Sequence, residues 1–127
     1  MDHALTAIIV EDDSFWMNNV TSILESEGVE VIQARSGTEV IAALNHPQET
    51  ILVVDIVLPD EDGLEILTMV RSAHPNAKVL VMSGGGRLGA DFYLRIARRF
   101  GANETISKPF SSDQFLLHWN RLLSLKN

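Results

Sequence analysis

Three short apolar runs constrain this chain most: Ala7 to Val10, Ile51 to Val54 and Val79 to Met82. Each is continuous rather than alternating and rich in β-branched residues, the pattern of strands buried on both faces of a parallel sheet. Parallel neighbours cannot be joined by hairpins, so every such strand requires a long crossover, normally a helix. Two shorter and more polar runs, Val29 to Gln33 and Glu104 to Ser107, add strands at or near the sheet edges.

The intervening segments carry helical spacing and end signals. Val20, Ile23 and Leu24 precede Gly28, which predicts a first helix over 13–27 closed by a left-handed glycine. Ser36-Gly37-Thr38-Glu39 reads as a capping box that opens a helix bearing Val40, Ile41 and Leu44. Asp62-Gly63-Leu64-Glu65 has the same acid-at-cap arrangement before Ile66, Leu67 and Val70, with Pro75 as the stop. Leu88, Phe92, Ile96 and Phe100 form one apolar stripe that ends at Gly101. Ser111-Ser112-Asp113-Gln114 caps a last helix whose buried face is expected to be Phe115, Leu116, Trp119, Leu122 and Leu123.

Five strands alternating with five helices give an α/β fold with a doubly wound, five-stranded parallel sheet, since right-handed crossovers place helices on both faces. A chain of 127 residues is read as one domain, 1–127. Its 46% apolar and 21% charged composition, without a long apolar span or signal peptide, predicts a soluble cytoplasmic protein. With no cysteine, thiolate metal sites and a cysteine nucleophile are excluded. A net charge of -7 argues against nucleic acid or an anionic membrane as partner and favours a cation.

Ligands in such sheets bind beyond the carboxyl ends of the strands. Polar residues cluster there: Glu11, Asp12 and Asp13 after the first strand, Asp55 after the third, Ser83 after the fourth and Lys108 after the fifth. Carboxylates brought to one edge repel each other, and a hard divalent cation relieves them, so Glu11, Asp12 and Asp55 form a candidate Mg²⁺ site. Asp13 is assigned to the cap of the first helix. The Gly84-Gly85-Gly86 run lacks the ending of a Walker motif, so bound nucleotide is not expected. A metal, a lysine and a hydroxyl facing one carboxylate suggest phosphoryl transfer onto Asp55, with Lys108 balancing charge and Ser83 bonding a phosphoryl oxygen.

Taken together, Val10-Glu11-Asp12-Asp13, Val54-Asp55-Ile56-Val57-Leu58-Pro59 with Asp62-Gly63, Met82-Ser83-Gly84 and Ser107-Lys108-Pro109-Phe110 resemble, in order and spacing, the receiver domain of two-component response regulators. The resemblance implies a flavodoxin-like strand order, 2-1-3-4-5, and an Asp55 that accepts phosphate from a histidine kinase or phosphotransfer protein. It implies that Glu11 and Asp12 are the acidic pair for Mg²⁺, joined by Asp55 and the backbone carbonyl of Val57. Ser83 and Lys108 become the switch hydroxyl and the phosphate-binding lysine, and Lys108-Pro109 a cis peptide. Three departures stand out. Thr105 occupies the usual place of an aromatic switch residue, the stretch around Gly84 to Gly89 is longer and rich in glycine, and Pro59-Asp60-Glu61-Asp62 is more acidic than the common pattern.

The expected function is that of a stand-alone receiver, a signalling switch rather than an enzyme, which docks an unknown downstream protein through its fourth helix, fifth strand and fifth helix. Arg87, Arg95, Arg98 and Arg99 lie on or beside that fourth helix. Phe15 and Trp16 are read as half-buried packing, with a docking role as the rival, and His3, His46, His74 and His118 receive no role. A receiver-like interaction module that never turns over phosphate is the alternative. A magnesium-dependent phosphohydrolase would need a second aspartate where Val57 stands.

Overall fold

The computed structural model describes residues 5–44, 49–57, 63–84 and 89–125. Strands and helices alternate: β1 (Leu5–Val10), α1 (Ser14–Ser26), β2 (Glu30–Ala34), α2 (Gly37–Leu44), β3 (Glu49–Asp55), α3 (Gly63–Ala73), β4 (Lys78–Ser83), α4 (Ala90–Arg99), β5 (Glu104–Ser107) and α5 (Ser112–Ser124). The sheet has the order β2-β1-β3-β4-β5 with every pair parallel, so the two polar runs take the edges, as their composition predicts.

Strand side chains alternate between two cores. Ala7, Ile9, Ile51, Val53, Leu80, Met82 and Ile106 pack beneath α1 and α5, against Met17, Val20, Leu24, Phe115, Trp119 and Leu122. Ile8, Val10, Leu52, Val54, Val79 and Val81 face the other way, against residues of α2, α3 and α4. Both faces of β1, β3 and β4 are therefore covered, which is why their sequences are continuous rather than alternating.

Local signals place the helix ends. Asp13 caps α1, its side chain accepting the Phe15 and Trp16 amides at 2.8 and 3.3 Å. Gly28, at φ 79°, closes α1 as its Val29 neighbour bonds back to the Leu24 carbonyl at 3.1 Å, and Gly101 does the same for α4. The Ser36 hydroxyl accepts the Glu39 amide at 3.2 Å, while the Glu39 carboxylate reaches the Arg35 amide rather than that of Ser36. Ser111 and Gln114 form a full capping box on α5. The Asp62 cap falls outside the described residues.

The buried face of α4 is not the stripe through Phe92, Ile96 and Phe100. Its buried residues are Leu94 and Ala97, while Phe92 and Phe100 are 36% and 50% exposed; Leu88 lies outside the described residues. Two apolar stripes overlap on this helix, and the one with the smaller side chains faces the sheet, because Ala97 permits a close helix–sheet approach that phenylalanine would prop open.

At the sheet edge opposite the acidic cluster, Arg71 of α3 ties three segments together. Its guanidinium donates to the carbonyls of Pro75, Ala77 and Gly101 and to the Asn103 side chain at 2.6 to 3.1 Å, and Asn103 in turn accepts the Val79 amide at 2.8 Å. The starts of β4 and β5 are thereby joined, at the end of these strands opposite Ser83 and Lys108.

Candidate functional site

Parallel pairing aligns the strand ends: Val10 opposite Val54, Asp55 opposite Met82, and Ser83 opposite Ser107. The next residues out from β1 and β5 are then Glu11 and Lys108, and both reach Asp55's side of the sheet. Carboxylate oxygens of Glu11, Asp12 and Asp55 lie within 4.8 Å of one another, with Asp12 exposed and the other two buried. Lys108 Nζ donates to Asp55 Oδ2 at 2.7 Å and pairs as well with Glu11 Oε1. The remaining oxygens are occupied by backbone: Asp55 Oδ1 accepts the Val57 amide at 2.9 Å, and Glu11 Oε2 the Asp13 amide at 3.2 Å.

Burial dominates the electrostatics. It lifts the Glu11 carboxyl to about 7; the Lys108 hydrogen bond pulls against this, while the Asp55 charge adds to it. For Lys108 burial works in the opposite sense, but its bonds to Asp55 and Glu11 outweigh that cost and raise its pKa. The Lys108 ammonium thus bridges two carboxylates that would otherwise repel each other, a task that an incoming cation would share. Three hard oxygen donors with an exposed member suit Mg²⁺, which keeps several waters and takes one or two carboxylates. The donor set therefore fits the ion.

The surrounding backbone is equally specific. A Cβ on Gly63 would stand 2.5 Å from the Asp55 carbonyl oxygen and 2.6 Å from Ile56 Cα, so only glycine lets α3 begin against the strand end that carries Asp55. The Gly63 amide bonds the Ile56 carbonyl at 3.1 Å. Ser83 is fully buried at the end of β4, its carbonyl accepts the Lys108 amide at 2.9 Å, and the Lys108-Pro109 bond is cis.

The family model of the response regulator receiver domain matches residues 7–120. The chain belongs to that family. Among its relatives, the chemotaxis protein CheY of Listeria monocytogenes is 32% identical over 113 residues, covering 88% of this chain and 92% of the relative. The transcriptional regulatory protein TcrX of Mycobacterium tuberculosis is 30% identical, and the match spans 94% of this chain but half of that longer regulator. The crystal structure of the receiver domain of NtrX from Brucella abortus superposes with a TM-score of 0.85 at 30% identity, covering 94% of this chain and 99% of that one. The receiver fold, with its 2-1-3-4-5 sheet, is thus the architecture found here.

Within this receiver, Glu11, Asp12, Asp55 and Lys108 converge, and Ser83 ends the strand beside Asp55. Val57, next to Asp55 in the chain, is 39% exposed. The sequence missed the aromatic surroundings. The Trp16 ring lies 5.5 Å from Lys108 Nζ and 4.6 Å from the Phe110 ring, a meeting of α1 with the end of β5 that no local pattern announces. Phe15, read as half-buried, is 64% exposed. His118, given no role, bonds Glu104 at 2.8 Å across α5 and β5. Thr105 is buried, and its hydroxyl accepts the Arg98 guanidinium of α4 at 3.1 Å. Gly85 to Leu88, with Arg87, and the acidic Pro59 to Asp62 stretch fall outside the described residues, as do His3 and His46.

Proposed function

We propose that this receiver is a phosphorylation-dependent switch in which Asp55 accepts a phosphoryl group from a histidine kinase or phosphotransfer protein. The observation that carries the reading is the buried Lys108 ammonium bonded to both Asp55 and Glu11, a cation already seated where a phosphoryl group would bring negative charge. In the transfer, an Asp55 carboxylate oxygen forms a bond to phosphorus as the bond from phosphorus to the donor's imidazole nitrogen breaks, and the electron pair leaves with the imidazole, which takes up a proton. Lys108 moves from carboxylate to phosphoryl oxygen and balances its charge, and the Ser83 hydroxyl bonds another phosphoryl oxygen. Glu11, Asp12, Asp55 and the Val57 carbonyl would hold Mg²⁺, which when bound neutralises charge on the transferring group.

The switch is then read by a downstream protein at the α4-β5-α5 face, with neither nucleic acid nor membrane as direct partner. Among the described residues no helix is long and apolar enough to cross a membrane. We place its action in the cytoplasm, with residues 1–127 forming one receiver domain. The test is incubation with Mg²⁺ and acetyl phosphate followed by intact mass. Wild type should gain one phosphoryl group and Asp55→Asn none. A wild type that gains nothing, from this donor or from a histidine kinase, would leave the chain a receiver-like interaction module.

A further inference from the structure

We propose that Trp16 is a positioning residue for Lys108, holding the ammonium over the acidic cluster through the face of its indole ring and so setting the rate at which Asp55 takes up phosphate. The inference rests on the phosphoacceptor reading and adds to it a group on α1 that touches none of the reacting atoms. Its ring centroid is 5.5 Å from Lys108 Nζ, within the range where the negative face of an indole attracts a cation, and indole is the strongest of the aromatic side chains in this respect. The attraction grows where water is excluded, and the Lys108 side chain is only 8% exposed.

The ring is itself held by the start of α1 and by Phe110. Asp13 accepts the Trp16 amide at 3.3 Å, so the cap that starts α1 beside the acids also sets where the indole begins. The ring also packs on Phe110 at 4.6 Å, two residues beyond Lys108. Phe110 stacks on Phe115 at 5.6 Å, and Phe115 on the buried Trp119 at 6.3 Å, which anchors the whole series in the core. Phe15 closes the outer edge at 5.2 Å.

During transfer the two carboxylates change partners, since Glu11 would turn towards a bound Mg²⁺ and Asp55 becomes an acyl phosphate. The indole changes neither charge nor place. It therefore remains the fixed partner of the ammonium while Lys108 swings from Asp55 to the phosphoryl oxygens, and it restricts the long lysine side chain to that arc. Packing alone would be satisfied by any apolar side chain of similar reach, whereas this role needs a π face.

Wild type, Trp16→Phe and Trp16→Leu are compared for phosphorylation by acetyl phosphate with Mg²⁺, at a temperature where all three are folded by far-UV circular dichroism. Trp16→Leu should be slower by about two- to thirty-fold, Trp16→Phe should recover most of the rate, and Mg²⁺ affinity should not fall in either. In protein labelled with 5-fluorotryptophan, Lys108→Met should move the fluorine resonance of Trp16 and leave that of Trp119 in place. A Trp16→Leu variant as fast as wild type, leucine and phenylalanine variants equally slow, or an unmoved Trp16 resonance each overturns the role. A wild type that takes up no phosphate overturns the phosphoacceptor reading together with it, so the two failures are distinct.

Discussion

At the scale of single residues, Glu11 and Val57 make opposite demands on the site. Glu11 titrates near 7 in the fold against an ordinary 4.5, so the folded chain binds its proton more tightly than the unfolded chain does. That contribution to stability is complete below about 4.5 and disappears as pH rises through about 7. In the presence of a chelator, the denaturant midpoint should therefore fall across this window, and Glu11→Gln should flatten the fall; an equally steep profile in the variant would assign the slope to other groups. Val57 presents an apolar, partly exposed side chain beside Asp55, where a polar one could align a water for attack on the phosphoryl group. Val57→Asn should accelerate loss of phosphate after the donor is removed, by up to about a hundredfold, the lower end of what a positioned acid–base group contributes. Intact mass against time measures it, and an unchanged half-life would show that this position does not limit hydrolysis.

At the scale of elements, the junctions rather than the helices carry the specificity. Gly63→Ala drives a Cβ into the backbone of Asp55 and Ile56, with no flexible side chain to give way. It should cost about 1–3 kcal/mol in chemical denaturation and slow phosphorylation in protein that remains folded, because the displaced backbone is that of Asp55 itself. The Arg98 to Thr105 bond joins α4 to β5 at the place where an aromatic ring was expected from the resemblance. Thr105→Val keeps the volume and removes the acceptor, so α4 amides should exchange with solvent faster while those of α5 do not; equal protection would mean the bond is idle. These junctions also mark the limits of sequence reading. The strands were legible because burial on both faces demands unbroken β-branched runs, and the acids because strand ends must meet at one edge. The buried side of α4 was not, since Phe92 and Phe100 outweigh Leu94 and Ala97 in hydrophobicity while the smaller pair fits closer to the sheet. Nor was the Trp16 contact, which joins residues 92 positions apart through tertiary packing.

At the scale of the molecule, the sheet divides the interior into two unlike layers. The layer under α1 and α5 contains Phe115 and Trp119, with Phe110 packed against it, whereas, among the described residues, the buried ones of the layer under α2, α3 and α4 are all aliphatic. Both tryptophans of the sequence belong to the α1 and α5 side. Tryptophan emission consequently sees one half of the interior and is blind to the other. A melt followed by emission and a melt followed by backbone dichroism sample different parts of the protein, and their coincidence would establish that the two layers come apart in a single cooperative step. If the backbone signal began to fall first, the aliphatic half would be the weaker partner, and valine, leucine and isoleucine methyl resonances, not indole light, would be the means of watching it move.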